Sequence, residues 1–287
     1  MQIKLIALDL DGTLLNRDKQ ISERNRCALQ RAADQGIWIV PSTGRFYKGM
    51  PAVVRELPFV RYTICVNGAE VYDAAEQRTL YRAEIPPLAA DRLFAYMDGL
   101  PVIYDCYQDG WGWMDKTHYA RMEEFLDDQF ALDMVRNLRT PVEHFRRAMR
   151  ERNRPIQKAQ MFFRQSDLAR RAEELERMPE QFPELAITSA AGNNIEINSR
   201  EAGKGRALQE LCAFLGIRPE ASMAFGDGLN DLSMLRDAGV GVAMGNAAAQ
   251  IRDAADLVAP DNQADGVADV LERLVLRPQP CRGAGAE

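Results

Sequence analysis

The sequence predicts an α/β fold in which a doubly wound parallel sheet is interrupted by an inserted α+β domain. Short apolar runs end abruptly in polar residues, which is typical of buried parallel strands. Segments with helical spacing lie between these runs, and this alternation implies right-handed crossovers within one sheet. The pattern changes in the middle third of the 287-residue chain, which indicates a separate unit there.

The first third predicts three strands and two helices. In chain order they are a strand over 3–8, a helix over 22–36, a strand over 37–40, a helix that reaches Glu56 and a strand over 62–66. Ser22 is a suitable N-cap for the first helix, and Gly36 is a suitable residue to end it. Asn67-Gly68 is a strong turn signal and closes the third strand.

The middle third mixes both kinds of element, and the last third returns to alternation. The middle predicts strands over 102–107 and 157–163 and helices near 88–98, 119–129 and 167–178. After Gly203 the pattern predicts a helix through 211, a strand over 222–225, a helix from 230, a strand over 240–244, a helix, a strand over 257–259 and a last helix through 274. A core domain is therefore predicted over 1–84 and 197–287, with an inserted domain over 85–196. The tail from Arg277 is rich in Pro, Gly and Ala and is expected to fray.

Composition excludes several classes of protein. The 42 acidic and 36 basic side chains give a formal charge of −6, which disfavours general binding to nucleic acid or anionic membranes. No apolar run approaches the roughly 20 residues of a membrane span, and the N-terminus lacks the apolar core of a signal peptide. No membrane association is expected, the cytoplasm is the expected location, and the oligomeric state, monomer or dimer, stays open.

The cysteines and histidines limit the chemistry. The chain has five cysteines without a CxxC pair, which predicts reduced thiols, and only two histidines, His118 and His144. The chain therefore has too few histidines to favour a histidine-dependent triad or an imidazole metal site. Catalysis is expected to use carboxylates, lysine and hydroxyls, and carboxylate oxygens select hard cations, Mg²⁺ first.

Polar residues follow three of the predicted strands. They are Asp9, Asp11 and Thr13 after the first strand, Ser42 and Thr43 after the second, and the run Gly226-Asp227-Gly228-Leu229-Asn230-Asp231 after a later one. Ligands bind outside the carboxyl ends of strands in an open parallel sheet, so these residues are predicted to share a site. Two carboxylates about 4 Å apart repel by roughly 4 kcal/mol at an effective dielectric of about 20. The group therefore needs a cation or retained protons.

Such a group suits phosphoryl transfer. Asp9 is predicted to attack phosphorus and form an aspartyl phosphate, while a divalent metal ion and Lys204 neutralise oxygens of the transferring group. Asp11 is placed to protonate the leaving oxygen and later to deprotonate water. Thr43 and the amides around Gly44 and Leu10 are predicted to donate to phosphate.

Four ordered segments carry a specific resemblance. They are Asp9-Leu10-Asp11-Gly12-Thr13-Leu14-Leu15, Ser42-Thr43-Gly44-Arg45, Lys204-Gly205 and the run over 226–231. Together they resemble motifs I to IV of the haloacid dehalogenase-like phosphatases. Asn67-Gly68-Ala69 and Met244-Gly245-Asn246-Ala247 resemble further signatures of the Cof-type, sugar-phosphatase-like branch, so the similarity spans nearly the whole chain.

The resemblance implies a Rossmann-like catalytic core, a type IIB cap inserted after the third core strand as a substrate-selecting lid, and Mg²⁺-dependent hydrolysis of a phosphomonoester. It implies that Asp9 is the nucleophile and a metal ligand, that Asp11 adds its backbone carbonyl to the metal, and that Asp227 is the third protein ligand. Asp231 supports this group. The implied phosphate-binding residues are Leu10, Thr43, Gly44, Lys204 and Asn230. Dehalogenases of the superfamily lack the second aspartate of the first motif, so Asp11 favours phosphoryl transfer.

Some of these residues also have plain structural interpretations. Asp9 and Asp11 are common turn residue types, and Asp231 is a common helix cap. Ser42 is expected to cap the following helix, whereas Thr43 is expected both to cap it and to bind phosphate. Lys204 starts a helix, where a positive charge is slightly unfavourable, and this placement favours a functional role.

Three functions stay open. The first is a phosphatase acting on small phosphorylated metabolites, above all sugar phosphates. The second is a phosphomutase or phosphotransferase, and the third is a catalytically idle regulator that binds a phosphometabolite. The stretch Arg136 to Lys158 holds eight basic and two acidic residues and is expected to be a solvated face. Attraction of an anionic substrate is a weaker interpretation, and nucleic-acid binding is not expected.

Overall fold

The computed structural model describes residues 2–189 and 192–276. The strands are β1 (Leu5–Asp9), β2 (Trp38–Ser42), β3 (Tyr62–Cys65), β4 (Glu70–Asp73), β5 (Arg78–Arg82), β6 (Ile103–Gln108), β7 (Trp111–Asp115), β8 (Arg139–Val142), β9 (Lys158–Phe162), β10 (Leu185–Thr188), β11 (Asn194–Ser199), β12 (Ser222–Gly226), β13 (Val240–Ala243) and β14 (Leu257–Val258). The helices are α1 (Glu23–Asp34), α2 (Ala52–Arg55), α3 (Pro87–Met97), α4 (Lys116–Ala120), α5 (Gln129–Leu138), α6 (Phe145–Arg152), α7 (Leu168–Gln181), α8 (Lys204–Leu215), α9 (Leu232–Asp237), α10 (Ala249–Arg252) and α11 (Gly266–Leu274). The predicted fraying of the tail from Arg277 falls outside the described residues. None of the described helices has the length and apolarity to cross a membrane.

The chain divides into two compact units. The first contains the residues up to Arg45, Met50–Tyr81 and the residues from Gly203, and the second contains Phe46–Gly49 and Arg82–Ala202. The sequence placed the junctions at 84/85 and 196/197 and assigned 46–49 to the first part. Within the second unit, the rings of Phe46 and Tyr107 meet edge to face with centroids 5.1 Å apart.

The first unit is built on one large sheet with the strand order β14-β13-β12-β1-β2-β3-β4-β5. The strands from β14 to β3 are parallel, and β4 runs antiparallel to β3. The central strand β1 is buried along its whole length, as a continuous apolar run between two layers requires. Side chains of β1, α8 and α9 share one hydrophobic cluster. The predicted α/β fold with a doubly wound sheet is confirmed.

Two local predictions in the first unit fail for physical reasons. The helix predicted to reach Glu56 is replaced by a 3-10 turn at Tyr47–Gly49 and the single turn of α2. Pro51 explains the break, because a proline disfavours helical backbone in the residue before it. The strands β4 and β5 were not predicted, because charged residues such as Glu70 and Asp73 obscure the apolar pattern of a strand. The side chains of Glu70 and Asp73 are nevertheless buried.

The second unit is an α+β structure with the strand order β10-β11-β9-β6-β7-β8. All of its strand pairs are antiparallel except β7 with β8. Residues of α3, α6 and α7 pack in one hydrophobic cluster with the strands. The helix predicted near 119–129 is wrong, because α4 ends at Ala120 and α5 begins after Asp128, whose carboxylate caps it by accepting from the amide of Ala131.

The stretch Arg136 to Lys158 is a set of ion pairs within the second unit. The pairs are Arg136–Glu123, Arg139–Asp105, Arg146–Asp91, Arg147–Glu151, Arg150–Asp91, Arg152–Asp109, Arg154–Asp109 and Lys158–Glu196. Every basic residue of the stretch therefore has an acidic partner. The local excess of positive charge in the sequence is compensated by carboxylates from elsewhere in the unit, which removes the reason to expect an anion-attracting face.

Candidate active site

Two neighbouring strands in the middle of the first sheet deliver the central carboxylates. β1 ends at Asp9, and β12, its parallel neighbour, ends one residue before Asp227. The carboxyl ends of parallel strands meet at one edge of a sheet, so the residues that follow them converge. Carboxylate oxygens of Asp9, Asp227 and Asp231 lie within 4.8 Å of one another.

Gly12 permits this convergence. Its φ is +88°, in the left-handed region, and a Cβ at this position would lie 2.2 Å from Oδ2 of Asp227. A side chain would therefore both strain the backbone and collide with the carboxylate. The glycine of the first motif lets the loop after β1 pass directly beside Asp227.

Lys204 holds two of the three carboxylates together. It is the first residue of α8 and is completely buried, and its Nζ lies 2.5 Å from Oδ1 of Asp9 and 2.6 Å from Oδ1 of Asp231. Burial opposes the charged form of the lysine, but the two carboxylates raise the pKa of Lys204 well above its ordinary value. One ammonium group thus faces three carboxylates.

The excess negative charge alters the other acids. Burial and then the charge of Asp231 raise the pKa of Asp9 to about 8, although Lys204 opposes this shift. Burial and the charge of Asp231 raise the pKa of Asp227 to about 6. The cluster therefore retains protons near neutral pH unless another cation joins Lys204.

Asp231 stabilises the cluster through hydrogen bonds to Lys204 and to the loop after β12. Oδ1 of Asp231 accepts from Lys204, while Oδ2 accepts from the amides of Asp227 and Gly228 at 3.0 and 2.9 Å. Both carboxylate oxygens therefore have donors within the protein. Asp231 fixes the loop that follows β12 and, through it, the position of Asp227.

Two neutral side chains orient Asp227. The hydroxyl of Thr13 donates to Oδ1 of Asp227 at 2.9 Å, and the side-chain amide of Asn246 donates to Oδ2 at 3.3 Å and to the carbonyl of Gly12 at 2.8 Å. The sequence assigned no role to Asn246, although the segment that contains it contributes to the family resemblance.

Asp11 lies outside the group of three carboxylates. Its side chain is partly exposed and pairs with Lys19 at 2.7 Å and with Arg45 at 2.8 Å. Burial opposes its ionisation, but Arg45 and Lys19 hold the pKa of Asp11 below its ordinary value. The sequence did not reveal either partner: Arg45 carried no assigned role, and nothing marks Lys19 as distinct from other loop lysines.

The predicted phosphate-binding residues lie along neighbouring loops. Thr43 directly follows β2, whose last residue, Ser42, pairs with Asp9 in the sheet. The hydroxyl of Thr43 accepts from the amide of Arg45 at 3.3 Å, and its carbonyl accepts from the amide of Asn67 at 3.0 Å.

Asn67 links two further predicted residues. Its Oδ1 accepts from the side-chain amide of Asn230 at 3.2 Å and lies 2.8 Å from where a Cβ of Gly44 would be. Asn67 has a left-handed φ of 58° and is buried. The sequence identified Asn67 as a turn residue within a segment that resembles a family signature, but assigned it no role in the site. Leu10 is also buried, and its carbonyl accepts from the amides of Thr13 and Leu15.

Ser42 does not have the predicted capping role. It is the last residue of β2 rather than a helix N-cap, and within the described part of the chain its buried Oγ has no hydrogen-bond partner. The expectation failed because the chain after β2 forms a loop and a 3-10 turn instead of a long helix.

Comparison with known proteins agrees with this geometry. The sequence pattern of the haloacid dehalogenase-like hydrolases matches residues 6–271. Phosphatase YwpJ of Bacillus subtilis is 32% identical, over 95% of this chain and 100% of its own length. The 5-amino-6-(5-phospho-D-ribitylamino)uracil phosphatase YcsE of the same organism is 31% identical, over 96% of this chain and 97% of its own length.

A solved structure shares the whole fold. The structure of a haloacid dehalogenase-like hydrolase from B. subtilis has a TM-score of 0.78 and 30% sequence identity, and the match covers 95% of this chain and 100% of that chain. The predicted resemblance is therefore confirmed. The chain belongs to the haloacid dehalogenase-like hydrolase family and is a phosphoric monoester hydrolase among its phosphatases.

Proposed function

We propose that this phosphatase hydrolyses small phosphomonoesters, sugar phosphates above all, with Mg²⁺ and through an aspartyl phosphate formed on Asp9. The observation that carries the proposal is the contact of a fully buried lysine with Asp9 inside a cluster of three carboxylates. Asp9 is a buried carboxylate, and Lys204 alone does not neutralise the negative charge of the carboxylates beside it. This arrangement suits a nucleophile that works beside a bound cation.

The donor set fits Mg²⁺. Oxygen ligands are those that Mg²⁺ prefers, and the cluster has more negative charge than Lys204 neutralises. Asp9, the backbone carbonyl of Asp11 and Asp227 would hold the ion, and Asp231, whose oxygens already have donors, would support them. When bound, the ion supplies positive charge to the oxygens of the transferring phosphoryl group.

The residues divide the reaction into two displacements. Lys204 orients the Asp9 carboxylate, an oxygen of which attacks phosphorus while the ester P–O bond breaks. Asp11 gives its proton to the leaving oxygen, so an alcohol departs. Asp11 then takes a proton from water, the water oxygen attacks the aspartyl phosphate, and inorganic phosphate leaves with Asp9 restored.

The pairing of Asp11 suits the second displacement directly. Arg45 and Lys19 favour its ionised form, which is the form that accepts a proton from water. The first displacement needs the protonated form, so these two cations have to shift towards the anionic substrate as it binds. Thr43, Gly44, Asn230 and the amide of Leu10 are proposed to hold the phosphate.

The second unit is proposed to select the leaving group, as the family resemblance implies. The named substrate of the YcsE relative is a phosphorylated ribityl chain on a uracil ring. A phosphate ester of a small hydroxylated molecule is accordingly the substrate class proposed for this chain.

Phosphate release from p-nitrophenyl phosphate and a panel of sugar phosphates tests the proposal. Release is expected with Mg²⁺, is expected to stop with EDTA, and is expected to fall about a thousandfold or more in Asp9→Asn. Asp18→Asn, an exposed aspartate in the loop between β1 and α1, is the matched control and should keep full activity. Undiminished release by Asp9→Asn would refute the nucleophile, and undiminished release in EDTA would refute the metal requirement.

A further inference from the structure

The turn that follows β3 has an unusual backbone. Val66, Asn67 and Gly68 have φ values of 53°, 58° and 90°, so three consecutive residues lie in the left-handed region. Glycine adopts this region freely and asparagine does so more often than most residues, but a β-branched residue such as Val66 rarely does. Strained backbone persists only where the surrounding structure requires it, and it is concentrated at functional sites. The contacts that hold this turn in place therefore indicate its role.

Backbone hydrogen bonds join the turn to the loop after β2. The amide of Val66 donates to the carbonyl of Arg45 at 3.0 Å, and the amide of Asn67 donates to the carbonyl of Thr43 at 3.0 Å. In sequence, these two bonds lie on either side of Gly44. The turn thus fixes the loop that carries Thr43 and Gly44, two of the residues proposed to hold phosphate.

The turn also packs against the start of α8. A Cβ on Gly68 would lie 2.2 Å from the carbonyl oxygen of Gly203 and 2.7 Å from the backbone nitrogen of Lys204. Only a residue without a side chain lets two backbones approach so closely. The left-handed glycine therefore places the turn directly beside the lysine of the carboxylate cluster.

The buried side chain of Asn67 holds the side chain of Asn230. Oδ1 of Asn67 accepts from Nδ2 of Asn230 at 3.2 Å and lies 2.8 Å from where a Cβ of Gly44 would be. Oδ1 of Asn230 lies 2.6 Å from where a Cβ of Gly228 would be, so both ends of this amide are closely contacted. A side-chain amide has two N–H donors. The contact with Asn67 uses one donor of Asn230 and sets the direction of the other.

We propose that Asn67 is a positioning residue for phosphate binding. Its Oδ1 holds one N–H of Asn230 so that the other N–H donates to a phosphate oxygen of the substrate, and the left-handed turn keeps Oδ1 in place against Gly44. The inference rests on the proposed function, in which Asn230 holds the phosphate. Asn67 acts through Asn230 and not by contact with the substrate.

The test measures the effect of Asn230→Ala in two backgrounds, as kcat/KM for p-nitrophenyl phosphate with Mg²⁺. In the unchanged protein, Asn230→Ala should lower kcat/KM about tenfold or more, because it removes a hydrogen bond to a charged group. In Asn67→Gly, the same substitution should lower kcat/KM less than about twofold, because Asn230 is already misplaced and the two effects are not additive. Glycine suits the left-handed backbone, so Asn67→Gly removes the side chain without adding strain.

Inhibition by inorganic phosphate gives a second readout of the same contact. Asn67→Gly and Asn230→Ala should each raise the inhibition constant of phosphate about tenfold. Gln77→Gly is the matched control, because Gln77 is exposed, lies in the same unit and has a left-handed φ of 51°. This variant should leave both kcat/KM and phosphate inhibition unchanged.

A conservative variant separates positioning from folding. Asn67→Asp tolerates the left-handed backbone and keeps an acceptor for Asn230, so Asn230→Ala should still lower kcat/KM at least about fivefold within this background, whatever the added charge does to the activity of Asn67→Asp itself. A smaller loss there would overturn the inference, and this arm decides the matter if Asn67→Gly does not fold.

The remaining outcomes separate this inference from the proposed function. Equal losses from Asn230→Ala in the unchanged protein and in Asn67→Gly would overturn the inference, and Asn67 would then only stabilise the turn. A loss below twofold from Asn230→Ala in the unchanged protein would instead overturn the proposed role of Asn230 in holding phosphate, and this inference with it.

Discussion

Each unit of the molecule buries a lysine against carboxylates, but the two sites differ in their charge balance. Lys204 in the first unit contacts Asp9 and Asp231 and has Asp227 nearby, whereas Lys158 in the second unit forms its ion pair with Glu196. The adjacent pair Arg139–Asp105 is likewise one cation with one carboxylate.

The difference distinguishes two kinds of polar site. The unbalanced cluster raises the pKa of Asp9, the proposed nucleophile, and a cation from outside would neutralise its remaining negative charge. The ion pairs Arg139–Asp105 and Lys158–Glu196 each balance their own charge, and within the described residues Oδ1 of Asp105 is a buried acceptor without a hydrogen-bond partner. The first arrangement suits chemistry on a charged group, whereas the second neutralises its charges within the unit.

Removing the lysine from each site should separate the two roles most strongly. Lys204→Met and Lys158→Met each leave a buried carboxylate without its cation, so both should lower the free energy of unfolding by about 3–5 kcal/mol. Lys204→Met should also lower kcat at least about a hundredfold, because the variant loses charge that stabilises the transferring phosphoryl group. Lys158→Met should leave kcat close to that of the unchanged protein, because its ion pair lies within the second unit. Steady-state kinetics measure kcat, and denaturant unfolding measures the free energy of unfolding. A normal kcat in Lys204→Met would show that the two lysines do not differ in their effect on catalysis.

Removal of the Asn246 side chain, which donates a hydrogen bond to Asp227, should give the next largest effect. Asn246→Ala removes a donor to Asp227 and to the carbonyl of Gly12, and partners of metal ligands typically contribute 10–100-fold to metal affinity. We expect the Mg²⁺ concentration for half-maximal activity to rise by about that factor, with little change in kcat at saturating Mg²⁺. Gln263→Ala, at an exposed position in a neighbouring loop, is the control. Equal Mg²⁺ dependence in the two variants would show that Asn246 does not position the metal ligand.

The pH dependence of metal binding sharpens the comparison further. The raised pKa values of Asp9 and Asp227 stabilise the metal-free fold below the ordinary range near 4, and this contribution is lost as pH rises through about 6 and about 8. Protein in EDTA should therefore lose stability between pH 6 and pH 8. Mg²⁺ competes with the retained protons, so its apparent affinity should rise by up to about tenfold per pH unit for each proton displaced.

Thermal unfolding with and without Mg²⁺ at several pH values measures this coupling. The expected result is a Mg²⁺-induced rise in Tm that is larger at pH 8 than at pH 6. The same series on Asp227→Asn should show a weaker dependence on pH. A shift in Tm that is independent of pH in the unchanged protein would mean that the cluster binds no ion through these carboxylates.

The carboxylate cluster could be predicted because its residues follow apolar strands. Asp9 and Asp227 each follow a buried run, and parallel strands bring such ends together without any knowledge of side-chain packing. Lys204 was predicted as a cation for the transferring group and through the resemblance of Lys204-Gly205 to a family motif, and its unfavourable charge at a helix start favoured that interpretation. The partners of these residues were not found, since the contact of Arg45 with Asp11 depends on the path of two loops that are 34 residues apart in sequence.

The second unit was harder to predict for a related reason. The strand over β6 was expected, but which of its faces is polar depends on the helices that cover the other face. Arg139 belonged to a run of basic residues in the sequence, and its crossing of Gly112 towards Asp105 is a tertiary feature with no local signal. The helix predicted near 119–129 is absent because the segment around Met122 forms only a 3-10 turn. Met122 and Phe125 are nevertheless buried, since they pack against strand residues, so their apolar spacing did not indicate a helix.

The smallest expected effect concerns the other unpartnered buried atom. In the part of the chain that the structure describes, the buried hydroxyl of Ser42 in the first unit has no hydrogen-bond partner, and the same holds for Oδ1 of Asp105 in the second unit. A neutral hydroxyl at the end of a buried strand is a packing defect that alanine removes, so Ser42→Ala should leave kcat/KM within about twofold and raise the free energy of unfolding by up to about 1 kcal/mol.

Kinetics with p-nitrophenyl phosphate and denaturant unfolding of Ser42→Ala measure this expectation. A tenfold loss of kcat/KM would show that the hydroxyl contacts the substrate and that the site in the first unit extends along β2. The two atoms differ because the Ser42 hydroxyl is neutral and alanine removes it without leaving a charge, whereas Oδ1 of Asp105 belongs to a carboxylate that Arg139 already holds.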